Sequence, residues 1–82
     1  MEDPEITRER MKLTQVINNN AQERPALVAL YGSVWDTKEL QVEFEVQGFA
    51  APFVVVKRKK DGKRGTLTFQ HMPRFYFDFR EV

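Results

Sequence analysis

Residues 57–64, KRKKDGKR, place six basic side chains within eight positions. They are Lys57, Arg58, Lys59, Lys60, Lys63 and Arg64. Several cations on one surface can bind phosphates, because affinity rises with the number of counterions that binding releases. We therefore expect this basic hairpin to contact the backbone of DNA or RNA. The alternative is that the charges only keep a hydrophobic hairpin soluble and prevent pairing between sheet edges.

Two residues nearer the carboxyl end could extend such a nucleic-acid site. Arg74 could contact a further phosphate, and Tyr76 could stack on a base if it lies on an exposed face of the sheet. We expect both residues to belong to the same binding surface as the hairpin.

The segment QHMPRFYFDF contains the only histidine, His71, close to Arg74, Tyr76 and Asp78. Such groups could transfer protons or bind an anion. No nucleophile motif, glycine-rich phosphate loop or metal-ligand spacing accompanies them. We therefore expect a turn histidine with cross-strand polar pairs, no enzymatic activity, no cofactor and no metal site.

Composition sets further bounds on the class of protein. The chain has 82 residues, of which 41% are hydrophobic and none is cysteine, so it forms one domain without disulfides or thiolate ligands. A core this small gains stability from self-association. The charged amino terminus lacks the apolar stretch of a signal peptide, and apolar runs are far shorter than the roughly 20 residues of a membrane helix. We expect a cytoplasmic protein without membrane contact.

The net charge of +1 conceals an uneven distribution along the chain. Residues 57–64 carry six basic groups and one acid, whereas residues 36–45 carry four acids and one lysine. The acidic segment is expected to be a solvated face, or else to dock the basic hairpin of a second copy or another basic partner.

The first twenty residues are predicted to form an amino-terminal helix, part of which is mobile. Asp3 can cap it, Pro4 suits its first position and Glu5 complements its dipole. Its apolar stripe is narrow and consists of Ile6, Leu13, Val16 and Ile17.

Residues 24–32 could form a short helix or a buried strand. Pro25 at the start and Gly32 past the end slightly favour the helix.

Residues 35–49 contain conflicting patterns. Asp36 and Glu39 have the spacing of a capping box, which predicts the start of a helix, and Gly48 supplies a stop. Against this, apolar and polar residues alternate from Leu40 to Gln47, which is the period of a strand. We favour a helix over residues 36–47.

The carboxyl-terminal part is predicted to form three strands, over residues 53–60, 63–70 and 74–80, joined by turns at 61–62 and 71–73. A two-residue turn places Val54 and Val56 opposite Phe69 and Leu67. A three-residue loop with a glycine bulge would place Phe53 and Val55 there instead. The predicted fold is α+β, with amino-terminal helical segments packed on a three-stranded antiparallel meander (residues 52–80).

Alternation along the last strand puts Phe75, Phe77 and Phe79 on one face, with Arg74, Tyr76, Asp78 and Arg80 on the other. The phenylalanines are expected to form core. If this strand lies at the sheet edge, the three phenylalanines could also form an interface with a second copy or a partner protein.

Taken together, these features of the sequence predict a non-enzymatic binding module. Nucleic-acid binding or regulation ranks first, and a protein-interaction module, small subunit or homodimer ranks second.

Overall fold

The computed structural model describes residues 4–82, with side chains from residue 6 onward. The elements in chain order are α1 (Pro4–Asn19), α2 (Arg24–Tyr31), β1 (Val34–Trp35), α3 (Thr37–Glu43), β2 (Phe44–Ala50), β3 (Phe53–Arg58), β4 (Arg64–Gln70) and β5 (Phe75–Glu81). One antiparallel sheet has the strand order β1-β5-β4-β3-β2. The α+β class is confirmed, but the sheet has five strands rather than three. The predicted cap at Asp3 lies outside the described residues.

The segment over which helix and strand patterns conflicted contains both structures. The Asp36 carboxylate accepts a hydrogen bond from the Glu39 amide at 2.8 Å, and the Asp36 amide donates to the Glu39 carboxylate at 3.0 Å. This capping box begins α3. The alternating pattern prevails from Phe44, where the chain pairs with β3 as a strand. The expected helix through residue 47 was wrong, because strand pairing takes over after two helical turns.

The predicted helix at residues 24–32 is confirmed as α2. Pro25 lies in its first turn, and Gly32 follows its end at φ +82°, a conformation that glycine adopts without a side-chain clash. The chain then contributes the short strand β1, in which Val34 pairs with Phe77 and Trp35 with Tyr76.

The β3–β4 connection contains a loop of four residues, 59–62, which is closed by the backbone pair of Arg58 and Lys63. The Arg58 amide donates to the Lys63 carbonyl at 2.8 Å, and the Gly62 amide donates to the Arg58 carbonyl at 2.7 Å. Val54 therefore pairs with Leu67, which matches neither predicted register. The register differs from that of the two-residue turn by an even number of residues, so the side chains still lie on the faces which that turn predicted.

A bulge in β5 breaks the predicted alternation of the phenylalanines. The register with β4 shifts between Thr66 and Thr68, and Asp78 occupies the extra position at φ +58°. Phe75 and Phe77 consequently lie on one face, whereas Phe79 packs on the other. The expectation that all three share a face was wrong, because a bulge inserts one residue into the two-residue period.

The two faces of the sheet carry separate clusters of buried side chains. The face covered by α3, here called the α3 face, carries the larger cluster. Its buried members are Leu40, Phe44, Val54, Val56, Leu67, Phe69 and Tyr76. The opposite face, here called the α1 face, carries Leu27, Val34 and Phe77. Tyr31 stacks on Phe77 there at 4.7 Å between ring centroids. Within residues 4–82, none of the helices has the length and apolar character needed to cross a bilayer.

Candidate functional site

The basic hairpin distributes its cations over both faces of the sheet. Lys57 and Arg64 are cross-strand partners and extend the α1 face toward the loop. Arg58 lies over the ring of Phe79 on the α3 face, 5.0 Å from the ring centroid. The Lys59 ammonium also turns toward α3, where it donates to the Gln41 carbonyl at 2.7 Å. The six cations therefore do not form one continuous surface.

Most of the hairpin cations also have partners within the chain. Arg58 donates two hydrogen bonds to the Asp61 carboxylate, at 3.1 and 2.7 Å. The Lys63 ammonium lies 3.5 Å from the Glu81 carboxylate, and Arg64 Nε donates to Gln47 at 3.1 Å. The Arg58 guanidinium, helped by the Lys63 amide, lowers the pKa of Asp61 to about 2. Of the described hairpin cations, only Lys57 and Lys60 have side chains without a hydrogen bond or ion pair to another residue of the chain.

The acidic segment lies against the basic hairpin of its own chain. Glu45 on β2 is the cross-strand partner of Lys57 on β3. The Lys59 amide donates to the Glu43 carbonyl at 2.9 Å, which continues this ladder to the start of the loop. Opposite charges opposed across a ladder stabilise the pairing. The acidic and basic segments that the sequence suggested could meet between two copies are thus neighbours within one sheet.

Arg74 and Tyr76 lie at the opposite end of the sheet from the hairpin loop. Tyr76 is only 2% exposed and belongs to the core of the α3 face. The expectation that it lies on an exposed face was wrong, because its partner Phe69 faces the core. The ring of Tyr76 has no open side on which a base could stack, and Arg74 cannot join the hairpin in one site.

The candidate proton-transfer residues are only partly brought together. Arg74 donates to Tyr76 Oη at 3.3 Å and lies 2.9 Å from Nδ1 of His71. Asp78 instead accepts from Arg80 at 3.2 Å, beyond the bulge. Within the described part of the chain, no group of three or more histidine or acidic side chains has the geometry of a metal site.

Strand β5 forms a sheet edge over half of its length. β1 pairs with it only at Tyr76 and Phe77, and Phe77 is 4% exposed and hence core. Beyond Phe77, no described strand covers the outer side of β5. The Val82 amide donates inward to the Arg64 carbonyl at 3.0 Å. Since pairing groups alternate in direction along a strand, the amide and carbonyl of Glu81 point outward.

A groove of about 860 Å³, here called the edge groove, adjoins this unpaired half of β5 at Phe79. Its walls bring aromatic and basic side chains together, with Glu43 as the one acidic residue among them. The aromatic residues are Tyr31, Trp35, Phe44 and Phe79, and the basic ones are Arg58, Lys59 and Lys60. The indole of Trp35 donates to Glu43 at 2.6 Å and meets Phe44 edge-on, which fixes the orientation of the indole.

No family model, curated protein or solved structure matches the chain.

No local pattern in the sequence directly indicated the edge groove. The basic residues are adjacent in sequence and were recognised, but their aromatic neighbours come from α2, β1 and β5. Phe79 reaches this face only because of the bulge at Asp78. The alternation of β5 predicted the opposite face. The one sequence feature compatible with a bulge was the Asp before the final Phe, since Asp tolerates a left-handed backbone better than most residues.

Proposed function

We propose that this protein is a non-enzymatic protein-interaction module that binds an extended, acidic segment of a partner protein in the edge groove. The observation that supports this is the unpaired half of β5, which at Phe79 adjoins a groove with basic and aromatic walls. An extended segment would continue the sheet where β1 ends. Binding by strand addition takes affinity from main-chain hydrogen bonds and specificity from alternate side chains.

The backbone of β5 provides the main-chain part of the contact. The outward amide and carbonyl of Glu81 can pair with an added strand. β1 leaves this position open, because the chain before Val34 turns away at Gly32. The added strand would therefore lie end to end with β1 along β5.

The walls of the groove favour acidic and apolar side chains in the segment. Arg58, Lys59 and Lys60 attract carboxylates on one side. The half-buried rings of Trp35 and Phe79 together offer an apolar surface to the bound segment. Exposed ion pairs contribute only about 0–1 kcal/mol each, so the cations select and orient the segment while the backbone and the rings hold it.

Nucleic-acid binding, which the sequence ranked first, is the second candidate. Cations beside aromatic rings also suit a short single strand, whose bases stack while its phosphates pair with the cations. It ranks second here because the hairpin cations lie on two faces of the sheet, so one strand of phosphates cannot reach them all. If two cations bound phosphates of a single strand, log K against log salt would have a slope of roughly −1.4.

A selection from displayed peptides tests the proposal. Extended peptides rich in Asp, Glu and apolar residues should be enriched on the full chain. Lys60→Glu should weaken the selected peptide about tenfold, because it replaces attraction with repulsion at the groove wall. Lys12→Glu makes the same charge change on the exposed surface of α1 and should have no effect.

Hydrogen exchange on the complex tests the mode of binding. The Glu81 amide should exchange more slowly when the peptide is bound, whereas the Val82 amide, already bonded to Arg64, should change little. Enrichment without acidic residues, or an unchanged Glu81 amide, contradicts the proposal. Binding of oligothymidylate with the salt slope given above, and no peptide binding, favours the second candidate.

A further inference from the structure

A second groove, here called the helix groove, separates α1 from the α1 face of the sheet and has a volume of about 870 Å³. Its floor includes Val55, Thr66, Thr68 and Phe77, which the register places on one face of adjacent strands. Its roof includes Leu13 and Ile17 of α1. Both surfaces are largely apolar, and the volume lies within the range of small-molecule sites.

Helix α1 is fixed to the sheet at its carboxyl end, and several of its apolar side chains remain exposed. Asn18 accepts a hydrogen bond from the His71 amide at 2.8 Å, which fixes the carboxyl end of the helix to the end of β4. Leu13 remains 40% exposed and Val16 56% exposed. These side chains overhang the sheet without filling the space beneath them. A ligand that removed this exposed apolar surface from water would gain binding free energy from the hydrophobic effect.

The two ends of the helix groove differ in charge. One end is closed by Gln70, which is 1% exposed and whose carboxamide is bonded to Gln22 and to the Pro73 carbonyl. At the other end the same face continues into three cations, Lys57, Arg64 and Arg80. Arg80 lines the groove and pairs with Asp78 at 3.2 Å, and Lys57 and Arg64 lie one cross-strand pair beyond the lining residues Val55 and Thr66. Glu45 lies across from Lys57 on the same face, so the three cations and two acids leave this end with one net positive charge. The groove is thus neutral at its closed end, apolar along its length and cationic at its mouth.

We propose that the helix groove binds a single-chain anionic amphiphile of the fatty-acid class. The alkyl chain lies between α1 and the sheet, with its end toward Gln70. The carboxylate lies at the mouth, where the paired positions Lys57 and Arg64 supply the cations, and arginine binds a carboxylate through two parallel hydrogen bonds. This site lies on the opposite face of the sheet from the edge groove and is independent of the peptide proposal.

Charge complementarity decides the class of ligand. A neutral apolar molecule would leave the cationic mouth unused, and a long polyanion would find no further cations along the apolar floor. A second copy of α1 would bring the charged residues that flank its narrow stripe, such as Arg8 and Glu9, toward the floor. One terminal charge on one apolar chain fits both the mouth and the floor.

The test is a titration of the isotope-labelled full chain with octanoate, decanoate and decanol below their aggregation concentrations. Affinity should rise by up to about fourfold per added methylene, since each one leaves water for the groove. Methyl resonances of Leu13, Val55 and Thr68 should shift together and saturate at one ligand per chain. Decanol should bind the same methyls more weakly than decanoate.

Two double variants separate the mouth from general charge. Lys57→Gln/Arg64→Gln should reduce decanoate affinity about tenfold and leave decanol affinity unchanged. Lys60→Gln/Lys63→Gln removes the same charge from the loop, where Lys60 lines the edge groove and Lys63 pairs with Glu81, and should change neither affinity. Equal losses in both double variants would show that only net charge matters and would overturn the site.

A measurement on the unmodified chain keeps the test valid if a variant does not fold. A fatty acid with a nitroxide near its chain end should broaden the methyls of Thr68 and Ile17. Broadening centred on Val42, Val46 and Phe49, the exposed apolar residues near the β2 edge, would overturn the proposal. So would close contacts between Leu13 and Val55 in the free protein, since they would show that α1 already fills the groove.

Discussion

The guanidinium of Arg24 binds the carboxylate of Glu39 through both of its terminal nitrogens, at 2.8 and 3.0 Å. Arg24 also donates to the Val34 carbonyl at 2.9 Å. Glu39 is at the same time the second partner of the capping box that begins α3. One arginine therefore connects the start of α2 to β1 and to α3. The guanidinium, together with the Asp36 amide, lowers the pKa of Glu39.

The lowered pKa values of two carboxyl groups predict a loss of stability in acid. The pKa of Glu39 is lowered by Arg24, and that of Asp61 falls from 3.8 to about 2 through Arg58 and the Lys63 amide. A group whose folded pKa is lowered stabilises the fold fully above its unfolded pKa, and the contribution disappears as the pH falls toward its folded pKa. Urea midpoints measured from about pH 6 down to about pH 2 should therefore decrease.

Substitutions test whether the ion pairs Arg24–Glu39 and Arg58–Asp61 cause the decrease in urea midpoint at low pH. Glu39→Gln and Asp61→Asn should each lower stability at neutral pH and flatten the dependence on pH, because the titrating group is gone. Glu9→Gln, on the exposed surface of α1, is the matched control and should reproduce the original curve. If all three variants followed the original pH profile, the pairs would not be its cause.

Removal of the capping side chain should destabilise α3. Asp36→Ala deletes the acceptor for the Glu39 amide and should cost about 0.5–2 kcal/mol in the free energy of unfolding. Asp36→Ser keeps an oxygen at the cap and should recover most of the loss. Equilibrium denaturation in urea measures both. Equal stability of the alanine and serine variants would mean that the cap does not determine where α3 begins.

A methyl group at Gly65 should not fit. A Cβ atom there would lie 2.5 Å from the Arg80 carbonyl oxygen and 2.6 Å from the ring of Phe79. Gly65→Ala should destabilise the fold by about 1–3 kcal/mol, the usual cost of overpacking, because a backbone atom cannot move aside easily. Gly48→Ala is the control, since nothing lies within 4 Å of its Cβ position. Similar urea midpoints for the two variants would contradict the close packing of Phe79.

The left-handed residue in β5 should restrict which side chains can replace it. Asp78 has φ +58°, which β-branched residues adopt only at a cost of about 1–2 kcal/mol. Asp78→Val should therefore be destabilising by about that amount, whereas Asp78→Asn and Asp78→Gly should be tolerated. Thermal unfolding ranks the three variants. A valine variant as stable as the asparagine variant would argue against the bulge.

The sequence was informative where one local pattern acted alone. Pro25 and Gly32 bound α2, and the Asp36–Glu39 spacing marks the start of α3, because helix ends depend on nearby backbone groups. The side chains that β3 and β4 send to each face also followed from alternation, although the loop is longer than expected.

The sequence was less informative where distant segments compete. Phe44 ends α3 and starts β2 because β3 is available to pair with it, which no local pattern indicates. The bulge at Asp78 moved Phe79 to the α3 face and so produced the aromatic wall of the edge groove. The amino-terminal stripe predicted a helix but not the open space beneath it. That space depends on how α1 meets the sheet, so neither groove could be predicted as a site.

Tyr31 forms part of the wall of both grooves, while its ring stacks on Phe77. A ligand in one groove that displaces this ring changes the shape of the other as well. Any such effect must be reciprocal, because the change in affinity that one ligand causes for a second equals the change that the second causes for the first. With both proposed ligands bound, the ring of this one tyrosine is therefore where binding on one face would be felt on the other.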